Sequence, residues 1–384
     1  MLRALLLPCA LALFALPVVA QQTWVVAAGG GPGVQFTEFA EAVNVAAAGD
    51  TILVRPGAYD PAVITKALTV LGDGGVPQFE FSIAVRGLPA GQRVVLRGLD
   101  APITVIDSAG PVLIDGMRTD TVRDRAVSVI RSAQVSVHDS RLRSPTGITA
   151  SASNLVLNGV DLEATQLLVP SSHPALVANR SSITVVDSVL RGAPGILQVL
   201  PCAQLAATQP AVDLTDSSLV ATGPVTELIG GSQESTTFGC SFQAPAIRAF
   251  GGAIVLDPAV VETGGIAAPF TTRPIAALVG DTAPPGGVLS WSLHGPVGAS
   301  AVLLASLPHT PIALPFGALW IDPSLHVALP FGTVPPSGVL DLSLPISAIY
   351  PRGTPFAFQG VVLAGSALEL TPPLVLVLDG PPVG

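Results

Sequence analysis

The stretch Phe36–Gly72 constrains the fold of this chain more than any other part of the sequence. At its start, apolar residues recur at helical spacing as far as Gly49-Asp50. Strand-like runs then follow at residues 51–55 and 68–71, and Pro and Gly separate them. A short helix that leads into short strands with sharp corners predicts the beginning of a coil stack, in which the helix covers the open end.

A weak repeat runs through about residues 100–265. Each unit is an apolar alternating strand, then Asp-Ser, Asp-Gly, Asp-Pro or Asn-Gly, then a turn. The instances are VLIDGM (112–117), VSVHDSRL (135–142), LVLNGVDL (155–162), ITVVDSVL (183–190), VDLTDSSL (212–219) and AIVLDPAV (253–260). A repeat of about 20–30 residues with strand periodicity and no helical periodicity predicts a solenoid whose coils pack on one another.

The character of the sequence changes after Gly264-Gly265. Residues 266–287 are rich in Pro, Gly and Thr, which predicts a linker, and residues 288–384 contain strand-like runs spaced by about 10 residues. We therefore predict an all-β protein: a right-handed single-stranded parallel β-helix with an N-terminal helical cap over residues 21–265, followed by a small antiparallel β-sandwich over residues 288–384.

The run AAAGDTILVRPGAY (46–59) resembles the N-terminal cap and first coil of secreted pectin-lyase-like proteins, and the resemblance covers about residues 22–265. The C-terminal part resembles, more loosely, β-sandwich modules of exported bacterial proteins, through strands such as FAFQGVVL (356–363). Enzymes of the pectin-lyase-like family use Ca²⁺-binding carboxylates with a basic residue, or paired aspartates. The motifs W-x-D-H, Asp-Asp, Asn-Thr-Asp, Gly-His-Gly and Arg-Ile-Lys, which would carry such sites, do not occur in this sequence. The resemblance thus implies the scaffold and not a reaction.

Residues 1–20 have the features of an export signal. Arg3 precedes the apolar run Leu5–Leu16, and small residues end the segment at Ala20. We therefore expect a secreted or cell-surface protein. The formal net charge of −9 disfavours nucleic acid as a partner, and no later stretch has the apolar length of a membrane helix.

Three cysteines occur, and Cys9 lies inside the export signal. Cys202 and Cys240 remain in the mature chain, where an oxidising compartment favours a disulfide. The two residues lie in loops that are expected to leave the solenoid side by side. We predict a structural Cys202–Cys240 bridge that stabilises the fold by about 2–4 kcal/mol.

The densest cluster of charges falls within residues 115–143. The candidates for a catalytic or glycan-binding site there are Arg118, Asp120, Arg123, Asp124, His138, Asp139 and Arg141. Asp120 and Asp124 would supply the two carboxylates that glycoside hydrolysis requires, and the arginines would bind anionic groups. The alternative is a solvated surface whose opposite charges neutralise each other and contribute little to stability.

Four aspartates that follow strands of the repeat suggest a second kind of site. If Asp115, Asp139, Asp187 and Asp216 stacked in one column, their oxygens could bind Ca²⁺. The alternative is turn chemistry, because Asp before Ser or Gly hydrogen-bonds its own backbone and favours a turn.

Three functions therefore stay open. The first is a non-catalytic exported β-helix protein that acts in binding or adhesion, or as a structural spacer, with a polysaccharide or cell-envelope glycan as a possible partner. The second is a polysaccharide lyase or glycoside hydrolase with an atypical site near residues 115–143. The third is a calcium-dependent adhesion module. Missing catalytic motifs and the scarcity of aromatic residues in the repeat favour the first, which requires no cofactor.

Overall fold

The computed structural model describes residues 21–120, 125–165, 173–197, 204–235 and 240–379. The predicted export signal lies outside the described residues. Among the described residues, no helix is both long and apolar enough to cross a membrane.

Helix α1 (Phe39–Val45) covers the N-terminal end of the coil stack, as predicted. Its buried residues are Phe39, Ala42 and Val43, which is the spacing that places side chains on one face of a helix. The ring of Phe39 packs edge-on against Phe79 of the first coils, with centroids 5.0 Å apart.

Parallel strands then stack as three ladders, one for each face of the coil. Face 1 consists of β4 (Val63–Ile64), β7 (Ile83–Arg86), β9 (Ile103–Ile106), β12 (Arg125–Ile130), β15 (Thr146–Ser151), β18 (Leu176–Asn179), the first parts of β23 (Val212–Thr222) and β27 (Ile247–Leu256), and β29 (Ile266–Ala267).

Face 2 consists of β1 (Thr23–Val26), β2 (Thr51–Val54), β5 (Leu68–Gly72), β8 (Val94–Arg97), β10 (Val112–Asp115), β13 (Val135–His138), β16 (Asn154–Asn158), β19 (Ser182–Val186), the second parts of β23 and β27, and β30 (Thr271–Thr272).

Face 3 consists of β3 (Ala58–Tyr59), β6 (Gln78–Phe79), β11 (Arg118–Asp120), β14 (Arg141–Ser144), β17 (Asp161–Ala164), β20 (Val189–Arg191), β24 (Glu227–Ile229) and β28 (Val261–Thr263). Two antiparallel hairpins, β21 (Ile196–Leu197) with β22 (Gln204–Ala206) and β25 (Ser232–Ser235) with β26 (Cys240–Gln243), extend from the later coils. The predicted parallel β-helix is therefore confirmed.

The core of the solenoid is built from side chains that occupy the same register position in successive coils. On face 2 the inward column contains Ile52, Val70, Leu96, Ile114, Val137, Leu157 and Val185, all fully buried. Neighbouring strands lie about 4.8 Å apart, so each side chain packs directly on the one above and the one below. This stacking requires apolar residues at alternate positions, which is the pattern of the repeat.

The corner between faces 1 and 2 has the same construction in five successive coils. A residue with positive φ is followed by a serine: Asp107-Ser108, Arg131-Ser132, Ala152-Ser153, Arg180-Ser181 and Asp216-Ser217. Each serine hydroxyl donates to the carbonyl two residues earlier. The backbone N–H of each of the first four serines in turn donates to the next serine's hydroxyl, for example from Ser132 to Ser153 Oγ at 3.0 Å. This serine ladder pairs polar backbone groups that the corner would otherwise leave buried without a partner.

The C-terminal region contains two antiparallel sheets and a hairpin. The first sheet is formed by β31 (Ala277–Asp281), β32 (Val288–His294) and β37 (Val339–Pro345). The second is formed by β36 (Val327–Thr333), β33 (Ser300–Ser306), β38 (Pro355–Ala364), β39 (Ala367–Leu370) and β40 (Leu374–Val377), and the hairpin by β34 (Pro308–Leu314) and β35 (Gly317–Ile321). The two sheets share one apolar core, in which Trp291 packs on Phe358 with centroids 4.7 Å apart.

The boundary between the two parts differs from the predicted linker at residues 266–287. Parallel pairing continues through β29 and β30, and β31 already belongs to the C-terminal sheets. Proline and glycine in this segment form the corners between short strands, so their abundance does not indicate an unpaired chain.

The C-terminal region folds back along face 2 of the solenoid. Outward-pointing Val95 and Leu113 of face 2 share an apolar cluster with Ile321, Ala357, Val375 and Val377 of the C-terminal region. Near the last coils Thr222 Oγ1 donates to the carbonyl of Ile275 at 3.0 Å, and near the first coils Arg352 Nη1 lies 3.1 Å from Asp73 Oδ1. The C-terminal region therefore packs on face 2 from the coil of β5 to the coil of β23.

Candidate functional site

The charges predicted near residues 115–143 lie mostly on face 3, in neighbouring rungs of one ladder. Arg118 is in register with Arg141, and Asp120 is in register with Arg143. Their side chains alternate with an inward column that includes Leu142, Leu162, Leu190 and Leu228, so the charges point outward.

Ion pairs link these rungs to the next ones. Arg143 Nε lies 3.0 Å from Glu163 Oε2, and Arg191 Nη1 lies 2.5 Å from Asp161 Oδ1. Arg141 Nε also lies 3.7 Å from Asp161 Oδ2. All of these side chains are partly exposed, so each pair contributes little to stability and mainly neutralises face 3. Arg123 and Asp124 lie outside the described residues.

A small cavity of about 290 Å³ lies at the corner between faces 2 and 3 and brings part of the predicted set together. Arg118, Asp139, Arg141 and Asp161 line it. Asp139 is an exposed residue, but partial burial of its carboxyl group raises its pKa; the negative charges of Asp115 and Asp281 add to this effect, whereas His138 and Arg97 oppose it. The cavity thus combines two guanidinium groups with a carboxyl group that holds its proton more tightly than usual.

His138, the residue before Asp139, is buried and contacts a buried ionic chain. Its Nδ1 is 2.9 Å from Asp115 Oδ1, and Asp115 also pairs with Arg97. Arg97 Nε lies 3.2 Å from Asp379 Oδ2 of the C-terminal region. A carboxylate that orients an imidazole is also used in general-base catalysis. Here, however, His138 is only 7 % exposed. The ion pairs next to it connect face 2 to the C-terminal region.

The four candidate calcium ligands do not form one column, so the stacked arrangement that could bind Ca²⁺ is not formed. Asp115 is buried in the ionic chain. Asp139 and Asp187 are positive-φ residues of the corner between faces 2 and 3, with Gly159 in the coil between them. Asp216 lies at the corner between faces 1 and 2, level with Arg180. A strand followed by Asp-Ser occurs both at this corner and at the corner between faces 2 and 3. An alignment of the repeat by this pattern alone therefore places residues of two different corners in one column.

Metal binding finds no support elsewhere in the described residues, where no group of three or more His, Cys, Asp or Glu is placed to hold an ion. The positive φ angles of 42°, 50° and 46° at Asp139, Asp187 and Asp216 fit turn chemistry, because Asp adopts this conformation more readily than most residues.

The predicted Cys202–Cys240 bridge stays a prediction. Cys240 lies at the start of β26 and is buried, whereas Cys202 lies outside the described residues.

Face 1 carries two open concave regions that the sequence did not indicate. The platform hollow, about 760 Å³, is lined by residues that include Phe81, Thr104, Ser128 and Ile130. The corner groove, about 950 Å³, follows the corner between faces 1 and 2 over six coils, from Asp107 to Ala253. Six rungs at about 4.8 Å correspond to a groove of roughly 24 Å.

The two regions meet, because Ile130 lines the hollow and the next residue, Arg131, lines the groove. Several outward-pointing side chains of face 1 carry hydroxyl groups. Ser82 Oγ lies 2.7 Å from Thr104 Oγ1, and Thr149 Oγ1 donates to Ser128 Oγ at 3.2 Å. At the far end, Arg248 forms a two-point ion pair with Asp213, at 2.6 and 3.1 Å. Face 1 thus offers a polar surface with apolar residues at intervals.

Comparison with known proteins adds little to this geometry. No protein-family model matches the sequence, and no curated protein matches it. Among solved structures, the crystal structure of pectate lyase Pel9A is similar with a TM-score of 0.33 and 10% identity, over 62% of this chain and 68% of that chain. Such a likeness concerns the parallel β-helix fold alone, and the fold itself rests on the three ladders described above.

Proposed function

We propose that this protein is an exported, non-catalytic β-helix protein that binds an extended polysaccharide, such as a cell-envelope glycan, along face 1. The observation that carries the proposal is the joined hollow and groove on that face. The C-terminal region packs on face 2. On face 3, Arg141, Arg143 and Arg191 already form ion pairs with side chains of neighbouring rungs. Export rests on the sequence of residues 1–20.

The lining of the groove suits a ligand with many hydroxyl groups. The serines of the ladder already make their hydrogen bonds within the protein. Contacts with a ligand therefore fall to the outward side chains beside them, among which Arg180 and Ser182 line the groove and are exposed. Several weak polar contacts spread over a length of roughly 24 Å favour a polymer over a compact small molecule.

The proposal is tested by blocking the groove. The variant Ser182→Trp places a bulky ring in the groove, and the Ser182 side chain takes no part in the serine ladder. The matched control is Val189→Trp, which adds the same ring to an outward position of face 3. Affinity electrophoresis and calorimetry against glucans, xylan, mannan, galactan and polygalacturonate measure binding, and release of reducing ends or unsaturated products measures turnover.

We expect the wild-type protein and Val189→Trp to bind the same polymer without turnover, and Ser182→Trp to lose binding. Thermal unfolding of both variants checks that each is folded. Equal loss in the two variants, or no binding of any polymer by the wild-type protein, would contradict the proposal.

A second candidate function is polysaccharide cleavage at the corner between faces 2 and 3. It is favoured by one observation, the raised pKa of Asp139 in a cavity with Arg118 and Arg141. A carboxyl group that keeps its proton can act as a general acid. Turnover that Asp139→Asn abolishes would establish this function, and Asn is tolerated at a positive-φ position. Asp120→Ala tests the other described candidate carboxylate.

A further inference from the structure

Phe81 is a large apolar side chain held at the surface of face 1. It is 61 % exposed, whereas Phe79, two residues earlier, is 1 % exposed and packs in the core. The chain turns between β6 and β7, and this turn directs Phe81 away from the coil interior. A single exposed apolar residue needs no explanation by itself, so its surroundings decide what it does.

The surroundings of Phe81 combine apolar and hydroxyl groups. The ring lines the platform hollow together with the half-buried Ile130, and the hydroxyls of Ser82, Thr104 and Ser128 line the same hollow. Ser82 and Thr104 are hydrogen-bonded to each other at 2.7 Å, so their positions are fixed. A ligand that fits this lining has an apolar face and a rim of hydroxyl groups.

The charge of the hollow further limits the class of ligand that fits it. One carboxylate, Glu80, and one guanidinium, Arg125, line it, so it has no net formal charge. The chain as a whole carries a formal net charge of −9. A long-range field of this sign repels an acidic polymer, and nothing in the hollow compensates for that repulsion.

We infer that the platform hollow binds one ring of a neutral saccharide, with Phe81 as the surface on which the ring stacks. The inference rests on the proposed function, since the ring belongs to the polymer that follows the corner groove. It adds that the polymer is neutral and not a polyuronate. Binding here requires no change in the protein, because the hydroxyl groups and the aromatic ring are already in place.

The experiment compares Phe81→Ala with Phe250→Ala, which removes another strongly exposed phenylalanine of face 1, 65 % exposed and near the C-terminal end of the coil stack. The variant Phe81→Trp keeps an aromatic surface. Calorimetry measures the affinity of each full-length protein for cellohexaose, xylohexaose, mannohexaose and hexagalacturonate.

We expect at least one neutral hexasaccharide to bind more tightly than hexagalacturonate. Phe81→Ala should weaken that binding by about tenfold, while Phe81→Trp and Phe250→Ala change it little. If Ser182→Trp abolishes polymer binding but Phe81→Ala has no effect, the proposed function stands and the inference about Phe81 fails. Tighter binding of hexagalacturonate than of every neutral hexasaccharide would also overturn it.

Discussion

Arg97 of the solenoid and Asp379 of the C-terminal region form a buried ion pair, with Nε and Oδ2 3.2 Å apart. Arg97 also pairs with Asp115, and Asp379 also accepts from Arg352 Nε at 2.9 Å. The chain of alternating charges runs across the contact between the two parts. Because its members are mostly buried, each depends on its partners to offset the free energy of leaving water.

Arg97→Ala should therefore destabilise the protein strongly. The change leaves Asp115 without its arginine in a site that is 1 % exposed, and we expect the free energy of unfolding to fall by about 3–5 kcal/mol. Urea unfolding measures the effect. Arg86→Ala, on the exposed edge of face 1, serves as the control and should change stability by less than about 0.5 kcal/mol. Similar effects of the two changes would show that the buried chain does not stabilise the contact.

Asp50 gives the first coil a pH-dependent stability. Burial opposes its ionisation, but hydrogen bonds from the Trp24 indole at 2.9 Å and from the N–H groups of Gln22 and Ala47 outweigh burial, so the pKa of Asp50 is lowered. A lowered pKa in the folded state means that this stability is fully present above the unfolded pKa of about 3.9 and is lost as pH falls through the folded value.

Asp50→Asn should cost about 1–3 kcal/mol near neutral pH, since buried donors lose a charged acceptor. Urea unfolding at a series of pH values should show the difference from wild type shrinking below about pH 4. A difference that is independent of pH would mean that the charge of Asp50 has no role at the cap.

The sequence predicted those parts of the fold that depend on local, repeated chemistry. The run around Asp50 identified the helical cap, and strands with alternating apolar residues identified the ladders. The corner of each Asp could not be assigned, because Asp187 and Asp216 precede serine in the same pattern at two different corners. The packing of the C-terminal region on face 2 depends on contacts such as Arg97 with Asp379, 282 residues apart, which no local pattern encodes.

The candidate site was predicted less well for a related reason. Charged side chains at 118–143 are conspicuous in a sequence with few charges, but Arg141 and Arg143 form ion pairs with the neighbouring rung. The lining of the platform hollow includes serine, threonine and one phenylalanine, which sequence reasoning assigns to turns or to the core. Phe81 has no periodic partner, because it lies where the chain turns between two faces.

The serine ladder should contribute to stability through each rung. Ser153→Ala removes the acceptor of the Ser132 N–H, which lies 3.0 Å away, and leaves a buried donor unpaired. We expect a loss of about 1–3 kcal/mol in the free energy of unfolding. Ser182→Ala, at an exposed position whose side chain lies outside the ladder, should change stability by less than about 0.5 kcal/mol. Equal losses would show that the ladder is not stabilising.

The last coil of the solenoid contains a charge in a core position. Glu262 is in register with the fully buried Leu228, yet it is exposed because no further described strand pairs with β28. An inward-directed charge on an edge strand discourages pairing with another chain. Glu262→Leu should therefore promote concentration-dependent self-association in sedimentation velocity. Glu41→Leu, on the exposed side of the capping helix, should leave the protein's association state unchanged, and an equal effect of both changes would refute this role.

The most direct test of the account is a crystal structure of the protein with the neutral hexasaccharide that binds most tightly. We expect one sugar ring on Phe81 and further rings that extend past Ile130 into the corner groove beside Arg131. Saccharide density on face 3, or in the cavity beside Asp139, would contradict it.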